Sequence, residues 1–161
     1  MGLYGALSFE ERHANEEDDV GFACERTDRL CRRCPLALAP ASQCPHPRFT
    51  GKAPEKIYAL SNPIKVDAAG IAAGRRLYEK EASPSCQMCH GIKGDGQGPL
   101  STQFDPPPRN FACAQTVNGI PDGQLFWIIQ NGSPGTSMPS FKALRDEQVW
   151  QLVLYLRELA R

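Results

Sequence analysis

Apolar side chains recur at helical spacing near the C-terminus of the chain. Four of them occupy positions i, i+3, i+4 and i+7, which predicts an amphipathic helix: Val149, Leu152, Val153 and Leu156. We expect this helix to begin near Arg145, because the two residues that follow are acidic and suit the positive end of a helix dipole. The apolar stripe is predicted to lie in the core.

An earlier segment is predicted to form the helix that packs against this stripe. Asp67 is a suitable N-cap, and the helical pattern continues through Glu79. Gly74 lies one turn before Tyr78 and leaves room for a second helix, so we expect the two helices to cross there. The predicted inward positions share helical spacing: Ile71, Gly74, Leu77 and Tyr78.

A third helix is predicted between Pro121 and Asn131. Proline suits the first position of a helix, Asp122 suits its first turn, and the pair Asn131-Gly132 is a stop signal. The apolar residues of this helix are Leu125, Phe126, Ile128 and Ile129.

Segments rich in proline or glycine separate the predicted helices. Residues 47–64 are punctuated by prolines, which predicts an extended strap over the surface. Residues 91–98 contain four glycines and are expected to wrap closely around something flat. Three successive prolines at 106–108 predict a stiff turn that presents Arg109 and Asn110.

Charge is distributed unevenly, although the formal net charge is zero. A balanced charge gives no support for nucleic-acid binding, and no stretch is long and apolar enough to span a membrane. We divide the chain into an acidic N-terminal arm at 1–23, a basic Cys-rich extension and linker at 24–58, and a domain at 59–161. The acidic arm and basic extension are interpreted as a docking appendage, with solvated charge as the alternative.

Four cysteines within 21 residues dominate the extension: Cys24, Cys31, Cys34 and Cys44. Two disulfides among them are the favoured interpretation, and a tetrahedral zinc or iron site and an iron–sulfur cluster are the alternatives. Four thiols allow three connectivities, so the sequence leaves the pairing open. Lipidation of Cys24 is a minor alternative. Cys113 stands apart and is expected to be a buried small apolar residue without a role.

The segment Cys86-Gln87-Met88-Cys89-His90 reads C-x-x-C-H, the attachment pattern of a c-type haem. Two thiols at this spacing can reach two vinyl groups on one edge of a porphyrin, while the next residue presents an imidazole to the iron. Of the three methionines, Met138 lies in a loop stiffened by prolines and is the one positioned to be a sixth ligand. Arg109 and Asn110 could donate hydrogen bonds to the propionates, with an exposed arginine as the alternative.

From about Ser61 to Arg161 the chain resembles a class I c-type cytochrome, a small all-α domain used for electron transfer. The resemblance is carried by four motifs: C-Q-M-C-H-G at 86–91, G-D-G-Q-G-P at 94–99, G-T-S-M-P at 135–139 and V-W-Q-L-V-L-Y-L-R at 149–157.

The resemblance assigns roles to individual residues. It implies thioether bonds to haem c from Cys86 and Cys89, with His90 as the proximal ligand and Met138 as the distal one. It also implies that the carbonyl of Pro99 accepts the hydrogen bond of the His90 ring. Residues 1–58 match no part of the pattern.

The predicted function is electron transfer rather than enzymatic catalysis, because two protein ligands leave no open position on the iron. We expect the cytochrome subunit of a larger respiratory or photosynthetic complex, with redox proteins as partners and a membrane-bound complex as their setting. The alternatives are a freely diffusing periplasmic carrier, a peroxidase-like haem enzyme, and a haem-based interaction or sensor module.

A periplasmic location is expected, with membrane association through a partner. The N-terminus nevertheless lacks the basic and apolar regions of a signal peptide. We therefore expect that the numbering starts at the mature protein or that the start has been altered.

Overall fold

The computed structural model describes residue 44 and residues 50–161, all within one compact unit. The predicted acidic arm and the positions of Cys24, Cys31 and Cys34 lie outside these residues. The described residues contain helices and turns and no strand. The helices are α1 (Glu55–Tyr58), α2 (Ala68–Arg76), α3 (Gln87–His90), α4 (Ala114–Val117), α5 (Asp122–Asn131) and α6 (Asp146–Leu159). A π-helical turn, Leu77–Glu81, extends α2, and a 3₁₀ turn spans Ser101–Gln103. The all-α prediction is confirmed.

Helices α2 and α6 cross at the predicted position. A Cβ on Gly74 would overlap the carbonyl oxygen of Gln151 and lie 2.9 Å from the Cβ of Tyr155, so only glycine allows this approach. One turn later the rings of Tyr78 and Tyr155 meet edge to face, with their centroids 5.3 Å apart. The expected crossing is therefore confirmed.

The ends of the long helices also follow the sequence signals. The Asp67 carboxylate accepts a hydrogen bond from the Gly70 amide at 2.8 Å and caps α2. Helix α5 ends at Asn131, and the next residue, Gly132, has a φ of +79° in the left-handed region that favours glycine. The predicted stripe of α6 is buried throughout: Val149, Leu152, Val153 and Leu156.

The expectation of a purely extended strap before the domain was wrong. Helix α1 begins directly after Pro54, because proline lacks only a donor that the first turn of a helix leaves unused. The segment is also fixed to α5. The buried Gln124 side chain accepts a hydrogen bond from the Ala53 amide and donates one to the Gly51 carbonyl, both at 2.8 Å.

Within the part of the chain that the structure describes, no helix is both long and apolar enough to cross a membrane. The buried apolar residues that the structure describes lie around the α2–α6 crossing and extend to the inner side of α5. A pocket opens between that core and the loops that follow α3 and α5.

Candidate cofactor site

The pocket brings together side chains that are far apart in the sequence. Cys86, Cys89 and His90 contribute to its lining, and so does Met138, which follows them by about 50 residues. The remaining lining is mostly apolar and comes from α5, α6 and the loops, including Phe104, Phe111, Leu125, Ile129, Phe141 and Leu156. Such a lining excludes water from the groups that face it.

The short helix α3 explains why the two thiols and the imidazole share the pocket. Cys86 precedes the helix, and its carbonyl accepts hydrogen bonds from the amides of Cys89 and His90, at 3.2 and 2.9 Å. Positions i, i+3 and i+4 lie on one face of a helix, so these three side chains point the same way. Gly91, with a φ of +78°, then turns the chain away from the pocket.

The glycine-rich loop wraps around the C-terminal end of α3. Amides of the loop donate to carbonyls of the helix: Gly96 to His90 at 2.8 Å, Gly98 to Cys89 at 3.1 Å, and Leu100 to Met88 at 2.9 Å. A Cβ on Gly98 would collide with the backbone of Met88, which explains the need for glycine there. The loop thus satisfies carbonyls that the end of a helix leaves without partners.

Both thiols of the motif are unbonded and held in their neutral form. Burial raises the pKa of Cys86 from its usual 9.0 to about 12, and it also raises the pKa of the less buried Cys89. Two unpaired thiols beside an imidazole are the set that thioether attachment requires.

The environment of His90 differs from the sequence-based expectation. Its Nδ1 lies 3.0 Å from the carbonyl oxygen of Arg109, whereas the Pro99 carbonyl was the expected acceptor. The difference arises because the amides of Phe111 and Ala112 both bond to the Gly94 carbonyl and draw that segment beside His90. In the tautomer with Nδ1 protonated, the lone pair for a metal lies on Nε2.

An aromatic contact on His90 was missed at the sequence level. The ring of Phe111 stacks on the imidazole with a centroid distance of 4.5 Å and an interplanar angle of 28°. No local pattern identifies Phe111 as a neighbour of His90, because the two residues lie 21 positions apart in the sequence.

Met138 is presented by a loop that is braced internally. The hydroxyl of Thr136 donates to the Ser133 carbonyl at 2.8 Å and accepts from the Met138 amide at 3.2 Å. The Ser133 amide donates to the Met138 carbonyl at 3.3 Å and closes the loop. The thioether is half-buried in the pocket lining, so its position is determined by the turn as well as by packing.

Arg109 contributes to the pocket lining, whereas Asn110 is not part of that lining. The hydrogen bond that Arg109 is expected to donate to a propionate stays a prediction. The amide oxygen Oδ1 of Asn110 is buried and has no hydrogen-bond partner among the described residues. A buried acceptor without a donor is costly, but this atom does not itself indicate a contact with a propionate, so the predicted role of Asn110 stays a prediction.

Taken together, these residues fit a covalent haem. The pocket is apolar, and it places two free thiols and an imidazole in one cluster with a thioether in the same lining. Cys86 and Cys89 would hold the porphyrin, and His90 and Met138 would hold its iron. Among the described residues no cluster of three or more metal-binding side chains competes with this site.

A disulfide joins Cys44 to Cys113, with the two Cα atoms 5.7 Å apart. Cys113 is therefore not a lone apolar residue, and the interpretation of Cys44 as part of a four-cysteine cluster was wrong. A zinc or iron–sulfur site that uses all four of Cys24, Cys31, Cys34 and Cys44 loses one ligand to this bond. The sequence separation of 69 residues explains why no spacing rule predicted the pair.

Comparisons with known proteins identify the relatives of the domain. The family model described as Cytochrome c matches residues 71–160. Cytochrome c55X of Stutzerimonas stutzeri is 30% identical over 87 residues, which are 53% of this chain and 67% of that protein. A solved chain from the reducing HAO-like protein complex of Kuenenia stuttgartiensis is 30% identical with a TM-score of 0.54. That match covers 65% of this chain but only about half, 49%, of the solved chain.

Proposed function

The chain belongs to the cytochrome c family, with its class I c-type domain at residues 71–160, and from this premise we propose that it is the electron-transferring subunit of a larger redox complex. Family membership implies a covalently bound haem c and a role in electron transfer. The observation that carries the proposed electron-transfer site is the shared pocket of Cys86, Cys89, His90 and Met138.

The haem would supply a one-electron redox couple. The protein would make electron transfer fast by keeping the ligands and the surroundings of the iron nearly unchanged between the two oxidation states. His90 and Met138 would both hold the iron, so that neither oxidation state needs a new ligand. The apolar lining keeps water away, and the braced loop of Ser133–Met138 limits movement of the thioether. A neutral, soft thioether favours the ferrous state and raises the potential.

Spectroscopy of the purified ferric protein tests the ligand assignment. The wild-type protein is expected to show the weak far-red band of thioether–ferric haem, and Met138→Leu is expected to lose it. Met88→Leu is the matched control, because Met88 is equally half-buried but lies inside the haem motif and outside the pocket lining. A band that survives Met138→Leu would refute the assignment.

A peroxidase-like enzyme is the second candidate class, and it requires Met138 to be off the iron. Cyanide binding to the ferric protein distinguishes the classes. We expect slow and weak binding to the wild-type protein and rapid binding to Met138→Ala. Rapid binding to both proteins would favour the enzyme.

A docked subunit is preferred to a freely diffusing periplasmic carrier. Two observations support it: the relative from a multi-subunit complex, and the 58 residues before the domain, whose charges are segregated and which include four cysteines. An extracytoplasmic location agrees with the family and with the disulfide. We propose that the protein associates with a membrane by binding a membrane-bound redox partner.

Removal of residues 1–39 tests the docked subunit, because it leaves the compact unit and the Cys44–Cys113 bond intact. The truncated protein is expected to keep its spectrum and its potential but to lose co-purification with a redox partner from the native membrane fraction. Unchanged co-purification would show that these residues do not dock, and a full-length protein that purifies alone would favour the free carrier.

A further inference from the structure

Residues 109–113 connect the candidate haem ligand His90 with the disulfide. The carbonyl of Arg109 lies 3.0 Å from Nδ1 of His90, and the ring of Phe111 covers one face of the imidazole. Two residues later, Cys113 is bonded to Cys44. We call residues 109–113 the backing segment.

The backing segment is anchored at two points. In its middle, the amides of Phe111 and Ala112 donate to the Gly94 carbonyl at 2.5 and 3.2 Å. At its end, the disulfide joins it to the last cysteine of the Cys-rich extension. Phe111 is only 6% exposed and Cys113 only 5%, so these two side chains lie inside the protein rather than on its surface.

We propose that the backing segment positions the His90 imidazole and that the Cys44–Cys113 disulfide holds the segment in place. The inference rests on the proposed function in one respect, namely that His90 is an iron ligand. Phe111 is then a positioning residue that acts through His90, and the disulfide is part of the support of the cofactor site.

Two physical effects carry the proposal. The Phe111 ring restricts rotation of the imidazole, because a stacked pair favours a small range of ring orientations. The Arg109 carbonyl selects the protonated Nδ1, and a hydrogen-bond acceptor at this position orients a ligating histidine and raises its basicity. Both groups move if the backbone of the segment shifts, and the disulfide limits such a shift by linking Cys113 to residue 44.

The role of Phe111 is tested by electron paramagnetic resonance of the ferric holoprotein, whose g-values depend on the orientation of the axial imidazole. Phe111→Leu is expected to shift or broaden the g-values, and Phe111→Tyr, which keeps a ring face, to restore them. Phe126→Leu is the matched control: Phe126 is also 6% exposed and stacks on Trp150 at 4.2 Å, but it does not line the pocket. Equal shifts in the Leu variants at both positions would overturn the positioning role.

The role of the disulfide is tested by amide hydrogen exchange in the Cys44→Ser/Cys113→Ser double variant. We expect the amides of Phe111 and Ala112 to exchange ~10-fold faster or more, while amides of α6 around Val153 keep their protection. Unchanged exchange at Phe111 and Ala112 would overturn this part of the proposal. Exchange reports on the backing segment whether or not His90 binds iron, so its outcome is separate from that of the ligand assignment.

Discussion

Gly74 and Gln151 touch backbone to backbone where α2 crosses α6, with no space for a side chain between them. Gly74→Ala is therefore expected to destabilise the holoprotein by about 2–3 kcal/mol, because the added methyl group separates the two helices. Denaturant unfolding, followed through tryptophan fluorescence, measures the loss. Gly119→Ala is the control: nothing lies within 4 Å of the place that its Cβ would occupy, and a change of less than about 0.5 kcal/mol is expected. Equal losses of unfolding free energy in Gly74→Ala and Gly119→Ala would show that α2 and α6 are not in close contact at Gly74.

Tyr78 connects this crossing with the haem motif. Its hydroxyl donates to the Gly91 carbonyl at 2.7 Å, and burial raises its pKa well above the usual 10. Tyr78→Phe leaves a buried carbonyl without its donor and is expected to cost about 1–2 kcal/mol of unfolding free energy. Tyr155→Phe keeps the edge-to-face ring pair and is the control. The hypothesis fails if thermal unfolding ranks the control as the less stable of the two.

Gln124 fixes the segment before the domain to α5. Gln124→Met keeps the size and flexibility of the side chain but leaves the Ala53 amide and the Gly51 carbonyl without partners. We expect a loss of about 2–3 kcal/mol and faster proteolysis between residues 51 and 58. Gln115→Met, at an exposed position of α4, should change neither quantity. Proteolysis at the wild-type rate in Gln124→Met would contradict the anchoring role.

The two thiols of the motif are expected to differ in reactivity in the haem-free protein. Because the pKa of Cys86 is raised to about 12, its alkylation by iodoacetamide should be slower than that of Cys89 at pH 8. The Cys86 rate should rise ~10-fold per pH unit up to pH 11, as the thiolate fraction does. Mass spectrometry of the alkylated peptides separates the sites, and a Cys86 rate that levels off near pH 9 would contradict its burial.

The raised pKa of Cys86 also predicts that the haem-free protein loses stability at high pH. The folded thiol of Cys86 keeps its proton up to about pH 12, whereas the unfolded thiol loses it near 9.0. The unfolded state therefore binds fewer protons between these values, and the unfolding free energy should fall as pH rises through that window. Cys86→Ala should make the unfolding free energy fall less steeply with pH. Denaturant unfolding of both proteins at pH 8 to 11 measures this dependence.

The sequence was most informative where local rules act. Helix starts at Asp67 and Pro121, the stop at Gly132, and the crossing at Gly74 follow from capping, backbone freedom and helical spacing. The helix after Pro54 was missed because prolines were interpreted as breakers, although proline is compatible with the beginning of a helix.

The sequence was least informative where distant segments meet. The acceptor of the His90 ring and the Phe111 stack depend on two amides that bond to Gly94, and the disulfide spans 69 positions. No periodicity or spacing encodes such pairings. One signal was available for Cys113, since an odd number of cysteines left it without an explanation of its own.

The Cys44–Cys113 bond also leaves an odd number of cysteines in the rest of the chain. The chain has seven cysteines, and with Cys86 and Cys89 reserved for the haem as proposed, the bond leaves three: Cys24, Cys31 and Cys34. Three thiols cannot all pair with one another. At least one of them must therefore stay reduced, bind a metal ion or a lipid, or form a bond to another molecule, and mass spectrometry of the intact protein would show which.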